Sequence, residues 1–287
     1  MPSAAGGPWD PIARTLAERL SATLGQPFFV ENVSGATGMI GMSRVARSTD
    51  GHSLGVMFMP HVLIPSLFKQ VTYDLHRDLV PVTQTHWTYN ILVVHPDVPA
   101  RTVDELLALV RKSPGKLSFA SGGIGTPAHV MGEFFKQRSN TYIVHIPYRG
   151  PAALVQGLVA GQTELGFASA AATIPLVRSG RLRALAVTSP SRLEALPDVP
   201  SFAEVGFKDF DVRDWSGIVA PTSLPRAAIE PLSRAIGQVL ADGALVDRMR
   251  QMGIYVNSQG PQPFAALIRI EFEKWREVIQ RANIEVA

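Results

Sequence analysis

Three segments of the 287-residue sequence join a short apolar run to a glycine-rich turn and then to a helix start: Ala4-Ala5-Gly6-Gly7-Pro8-Trp9-Asp10-Pro11, Val30 to Gly38, and Phe119-Ala120-Ser121-Gly122-Gly123-Ile124-Gly125-Thr126-Pro127. Glycines let backbone N–H groups come within hydrogen-bonding distance of a ligand that a Cβ would hold off. The helix that follows adds unpaired N–H groups and a positive dipole end of about half an elementary charge. That chemistry binds an anion. The loops contain no Lys or Arg and lack the Walker pattern, and no Gly-x-Gly-x-x-Gly with its downstream acid follows a suitable strand, so polyphosphates and nucleotides are disfavoured. A carboxylate carries a single charge that a few N–H groups, hydroxyls and waters can hold. A small carboxylic acid is the expected ligand.

Enzyme and metal signals are weaker. Gly51-His52-Ser53-Leu54-Gly55 matches the Gly-x-Ser-x-Gly nucleophile elbow in letters, but that motif needs a strand before it and a helix after it, and here the order is reversed. His129 and Glu133 stand four apart on one helix, a spacing that can hold a metal, yet no His-Glu-x-x-His pattern or third ligand accompanies them. His61, His86, His95 and His145 lie beside strands without a paired base readable from spacing. No catalytic residue, metal or cofactor is expected. The rival reading is a hydrolase or lyase that recruits Ser53, His129 or His61 in the same cleft, where helix N-termini would stabilise an oxyanion.

The elements that must position these loops alternate. Phe28–Val33, Leu54–Met59, Asn90–His95, Leu117–Ser121, Thr141–Ile146, Glu164–Ala168 and Leu182–Thr188 are short apolar or β-branched runs bounded by turns, and each predicts a buried strand. Between them, Thr102-Val103-Asp104-Glu105 predicts a capping box, and Asp10-Pro11 and Thr126-Pro127 each pair an N-cap with a first-turn proline. Asp10 is expected to cap the first helix. This order predicts an α/β fold with mainly parallel sheets flanked by helices. From Leu224 onward helical patterns dominate, with no strand expected.

Composition narrows the class further. The length suggests about two domains, and 46% hydrophobic against 18% charged residues describes a folded chain. Cysteine is absent, which excludes disulfide scaffolds, thiolate metal sites and cysteine nucleophiles. A net charge of +3 without basic tracts gives no reason to expect nucleic acid. No apolar run reaches the roughly 18–20 residues of a membrane span, and Met1 to Ala5 offers neither a basic n-region nor an apolar h-region, so no signal peptide is expected within these residues.

Long blocks in register make the sequence similar to the substrate-binding proteins of tripartite tricarboxylate transporters, the Bug or TctC-like family. They are AGGPWDPIAR at 5–14, VENVSGATGMIG at 30–41, DGHSLGVM at 50–57, YDLHRDLVPVT at 73–83, LVVHPDVPARTVDELLALVRKSPGKLSFASGGIGTPAH at 92–129, HIPYRGPAALVQGLVAGQTELGF at 145–167 and GRLRALAVTSPSRLEALPDVPSFAEVGF at 180–207. The resemblance implies a two-lobed periplasmic-binding-protein fold of type II with two crossing segments, Leu92–His95 and Trp215–Pro221. Lobe 1 would be 1–96 plus 220–287 and lobe 2 97–219, with the ligand cleft between them. It also implies a periplasmic, monomeric protein that hands a small organic acid to the membrane permease subunits of the transporter, or presents it to a sensor kinase of a two-component pair. No membrane insertion is expected.

The resemblance places the carboxylate between Gly6, Gly7, Pro8, Trp9 and Asp10 of the first loop and Ser121, Gly122, Gly123, Gly125 and Thr126 of the second lobe. His61, His129, Ala168 and Ser169 complete the candidate ligand set. Relatives commonly carry an acid where this chain has Ala168, and a carboxylate there could pair with a ligand ammonium, so an amino acid is disfavoured. Trp9 and the run His86-Trp87-Thr88-Tyr89 bring bulk to the cleft, which favours an aromatic or longer-chain acid, and the expected ligand is a dicarboxylate or an aromatic acid. Relatives also enter the first glycine loop from a full apolar strand, and only Met1 to Ala5 stand there, so that strand is expected to be largely absent.

Overall fold

The computed structural model describes residues 1–3, 5 and 10–284. Gly6, Gly7, Pro8 and Trp9, four of the expected ligand residues, lie outside the described residues. In chain order the elements are α1 (Asp10–Leu24), α2 (Met39–Ala46), β1 (Gly55–Phe58), α3 (Ile64–Leu67), β2 (Leu79–Val94), α4 (Val103–Lys112), β3 (Ser118–Ser121), α5 (Pro127–Ser139), β4 (Val144–Pro147), α6 (Pro151–Val159), β5 (Leu165–Ser169), α7 (Ala170–Arg178), β6 (Arg183–Val187), β7 (Arg213–Pro221), α8 (Arg226–Leu240), α9 (Gly243–Gln251), β8 (Ile254–Gln259) and α10 (Pro261–Ala282).

The long strand β2 belongs to two sheets. Its residues Leu79 to Tyr89 pair with β7, and Gln84 to Thr88 with β8, while Asn90 to Val94 pair with β5 and Ile91 to Val94 with β6. β1 extends the first sheet beyond β7, and β3 and β4 extend the second beyond β5. Parallel pairing, expected to predominate from the βα alternation, joins β3 with β4 and β5, and elsewhere among the described residues only a single bridge, Val187 to Ser201, is parallel. Strands β3, β4 and β5 are joined by helical crossovers, which return the chain in the same direction. The strand that carries the chain out of the first sheet and the strand that brings it back run in opposite directions, so β2 and β7 are antiparallel.

Two strands were illegible in the pattern and one expected strand has no ladder. The first half of β2 reads Leu-Val-Pro-Val-Thr-Gln-Thr-His, too polar for a buried run, yet Thr83, Gln84, Thr85 and His86 are all buried. β8 contains Asn257 and Ser258 and lies where only helices were expected. Phe28–Val33 carries no strand. Backbone contacts reach it at isolated points, Val33 N–H to Met1 O at 2.9 Å and the Met1 amino group to Glu31 O at 2.6 Å, and Phe29 is 85% exposed. A strand needs a continuous neighbour, and β1 pairs with β7 alone among the described residues.

Helices bury one face each. In α10 the buried residues Phe264, Ile268, Trp275, Val278 and Ile279 recur at helical spacing, each contributing roughly 1.5–3 kcal/mol by leaving water. Gln137 Nε2 donates to Val278 O at 3.0 Å and ties α5 to this helix. Leu16 and Leu20 of α1 share a second core with Ile218 of β7 and Ile236 of α8.

Candidate functional site

The β3–α5 loop is the best-defined part of the site. Ser121 is fully buried; its Oγ accepts from Gly123 N–H at 3.1 Å and lies 2.6 Å from His145 Nε2. Thr126 Oγ1 donates to Gly123 O at 2.8 Å, and Thr126 is the N-cap residue of α5 without a side-chain cap bond. The 148–150 turn braces the same loop, Tyr148 N–H donating to Ser121 O at 2.8 Å and Gly150 N–H to Gly122 O at 3.0 Å. With those bonds made, the amides of Gly122 and Ile124 and the first-turn amides of Ala128 and His129 have no acceptor among the described residues. Four donors near one helix N-terminus, with no cation among the loop residues, have the chemistry to pair with an anion.

His129 braces this loop from the first turn of α5. Gly125 N–H donates to its Nδ1 at 3.1 Å, which leaves the ring proton on Nε2, 3.9 Å from Glu133 Oε1. The ring stacks on His145 at 3.8 Å, and His145 on Phe119 at 4.8 Å. Desolvation holds His129 down to about 3 and His145 down to about 4, with Lys136 adding to both and the histidine neighbour to His129. Both rings are neutral near pH 7. Glu133 instead pairs with Lys136 Nζ at 2.7 Å, and among the described residues no cluster of three His, Asp or Glu could hold a metal.

In the first sheet, Asp10 opens α1 and is 5% exposed. Its carboxylate accepts from Arg14 Nε at 2.9 Å and from Asn32 Nδ2 at 3.0 Å, so it ties the first helix to the second loop. That second loop turns through four consecutive positive φ values, Gly35 +129°, Ala36 +46°, Thr37 +55° and Gly38 +91°, before α2 starts. A Cβ at Gly38 would stand 2.5 Å from His61 Nε2. His61 itself is 1% exposed, in the one-turn helix after β1, and its Nδ1 accepts Phe58 N–H at 2.8 Å. Burial drives it down to about 4.

Ala168 lies on β5 opposite Ile91, 6% exposed, and Ser169 opposite Asn90 as the N-cap residue of α7. Gly125 packs closely on α3, where a Cβ would stand 2.6 Å from Leu67 Cδ1. The aromatic bulk at 86–89 turns elsewhere. Trp87 stacks on Tyr255 at 6.1 Å, and Arg213 lies over Trp87 at 5.2 Å and Tyr89 at 5.8 Å, on the face of β2 opposite Thr88 and Asn90. An open hollow of about 510 Å³ between α10 and β1, lined by Met57, Val219, Ile268 and Phe272, is separate from the loops. Sequence reasoning missed Asn90, Asp214 and Ser216, which pairing between distant strands brings together, and His145, whose contact with Ser121 follows from the parallel pairing of β3 and β4.

The family described as TctC, tripartite tricarboxylate transporter family receptor, matches residues 12–284. The chain belongs to that family. BugT of Bordetella pertussis is 32% identical over 289 residues, covering 100% of this chain and 89% of the relative. Among solved structures, the periplasmic binding protein BugD is similar at 33% identity and a TM-score of 0.85, covering 99% of this chain and 97% of that one. An R. palustris protein with adipate is similar at 28% and 0.87, covering 99% and 96%. MatC from Rhodopseudomonas palustris with bound malate is similar at 27% and 0.82, covering 97% and 96%. The fold is therefore the α/β periplasmic-binding-protein fold, and a TctC receptor is a binding protein and not an enzyme. The competing serine fits that outcome. Ser53 Oγ donates to Asp50 at 2.6 Å in an exposed turn, with no histidine bonded to it among the described residues. No helix of the described residues is long and apolar enough to cross a membrane.

Proposed function

We propose that this TctC receptor captures a small organic carboxylate, a dicarboxylate foremost, between two lobes and presents the closed form to the membrane permease subunits of a tripartite tricarboxylate-type transporter, working as a monomer in the periplasm. The observation that carries the reading is the set of unpaired amides of Gly122, Ile124, Ala128 and His129. They suit one carboxylate without any lysine or arginine, because each charge-assisted N–H contact strengthens once closure excludes water. The adipate and malate held by two structural relatives support the class of ligand. Packing of Trp87 and Tyr89 against Tyr255 and Arg213 takes support from the aromatic-acid alternative. The lobes, read from sequence as 1–96 with 220–287 and 97–219, are proposed to divide where β2 changes partners, between Tyr89 and Asn90.

Titration calorimetry of the purified chain with four- to six-carbon dicarboxylates, benzoate and glutamine tests this. Saturable binding of one dicarboxylate per chain is expected. Binding of glutamine alone, or of none of these acids, would end the reading.

A further inference from the structure

Beyond the carboxylate seat, the hinge between the two sheets carries a polar face that the sequence did not announce. On β2 and β7, Thr88 stands opposite Asp214 and His86 opposite Ser216; across the change of partners Asn90 stands opposite Ser169. Directly opposed residues on antiparallel strands point to the same side, as do alternate residues along a strand. Asp214, Ser216, Thr88, Asn90 and Ser169 therefore share one side of the ribbon, continuous with Ile218 beneath α1 and ending at Ser169, the N-cap residue of α7. Arg213, Trp87 and Tyr89 occupy the other side.

This face is incompletely satisfied. Asn90 is 4% exposed and Ser216 fully buried, yet Asn90 Nδ2 and Ser216 Oγ have no hydrogen-bond partner among the described residues. Buried polar groups of this kind cost free energy unless something pairs with them. Thr88 is satisfied, its Oγ1 donating to Gly253 O at 2.8 Å. Asp214 is half-buried, and desolvation, with no charged neighbour opposing it, pushes its carboxyl up to about 7.

The geometry points to a second subsite on the hinge ribbon, in which Asp214 accepts from a hydrogen-bond-donating substituent of the ligand, hydroxyl or ammonium, while Asn90 Nδ2, the next side chain beyond Thr88 on the same side of β2, donates to the carboxylate beside it. It rests on the proposed carboxylate function and names the subclass: an acid substituted at the end away from the seat. One acceptor beside one buried donor complements a hydroxy- or amino-carboxylate terminus. A plain diacid offers only acceptors and leaves Asp214 unpaired. Asp214 thereby reopens the amino-acid class that Ala168 had disfavoured.

The test is titration calorimetry at pH 8 with two matched series, succinate, malate and aspartate, then adipate, 2-hydroxyadipate and 2-aminoadipate, on the native chain and on Asp214→Asn and Asn90→Ala. A hydrogen bond to a charged group supports a preference of about tenfold or more for a substituted acid over the plain diacid of its length. Asp214→Asn should compress that ratio to within about threefold, with thermal unfolding confirming that both variants remain folded. The malate and aspartate arms separate hydroxyl from ammonium. Equal affinity for the plain and substituted acids, or a ratio that survives Asp214→Asn, overturns the subsite while leaving the carboxylate function standing. Failure of every acid in both series overturns that function and the subsite with it.

Discussion

At the scale of single residues, the proposed carboxylate seat depends on Gly125. Its φ of +76° is a conformation that glycine alone adopts without strain, and its α-carbon faces Leu67 closely enough that a methyl group would stand 2.6 Å from Leu67 Cδ1. Gly125→Ala is expected to lower stability by about 1 kcal/mol and to weaken dicarboxylate binding. Adding Leu67→Ala should relieve the contact with α3 and recover part of the affinity but not the backbone strain; calorimetry and urea unfolding on the single and double variants check both halves. His129 acts on the same loop from behind. His129→Ala leaves the buried Gly125 amide without its acceptor, an expected loss of about 1–3 kcal/mol in unfolding free energy, and an unchanged stability would remove the positioning role. The glycine loop and the helix start at Pro127 were legible because turn residues and proline are local signals. Asp214 was not, because its significance arises only when register sets it against Thr88, well over a hundred positions earlier in the chain.

At the scale of elements, local chemistry predicted the helix starts well. Thr102 Oγ1 accepts Glu105 N–H at 3.1 Å, as its spacing required, though the Glu105 carboxylate reaches Arg101 N–H at 2.5 Å and not the backbone of Thr102. Thr102→Ala should cost about 1 kcal/mol, seen as a lower urea midpoint with unchanged slope; an unmoved midpoint would show that the carboxylate contact alone caps α4. The first half of β2 was hidden because its polarity is consumed internally. Thr83 Oγ1 donates to Gln259 O at 2.7 Å and Thr85 Oγ1 to Ser216 O at 3.1 Å, so neighbouring strands satisfy residues that a hydrophobic pattern rejects. Asp10, expected as a helix cap, also reaches beyond its own turn: its carboxylate accepts from Arg14 one turn on and from Asn32 of the second loop, a tertiary contact that spacing alone does not show.

At the scale of the whole molecule, β2 is shared by two sheets, and buried titratable groups spread through both set the response to pH. His61, His86, His129 and His145 are held down to about 4, 3, 3 and 4 by burial, against about 6.5 in an unfolded chain. Their contribution to stability is full above 6.5 and is lost as pH falls toward 4, where the unfolded chain binds protons that the folded chain refuses. Asp214, raised to about 7, and Glu271, also raised by burial, act with the opposite sign, keeping protons in the folded state that the unfolded carboxyls release. Four histidines outweigh two carboxyls. Stability should therefore climb between pH 4.5 and 6.5, each net proton contributing about 1.4 kcal/mol per pH unit, and urea midpoints at pH 5 and 7 check the sign; equal midpoints would contradict the histidine burial.

The most direct test of the central claim is amide nuclear magnetic resonance of the isotope-labelled chain during titration with the dicarboxylate it binds best. The amide protons of Gly122, Ile124, Ala128 and His129 should move downfield together, saturating with one dissociation constant that matches calorimetry. Unmoved amides alongside shifted lysine or arginine side chains, or an acid recovered in altered form, would contradict capture by backbone donors.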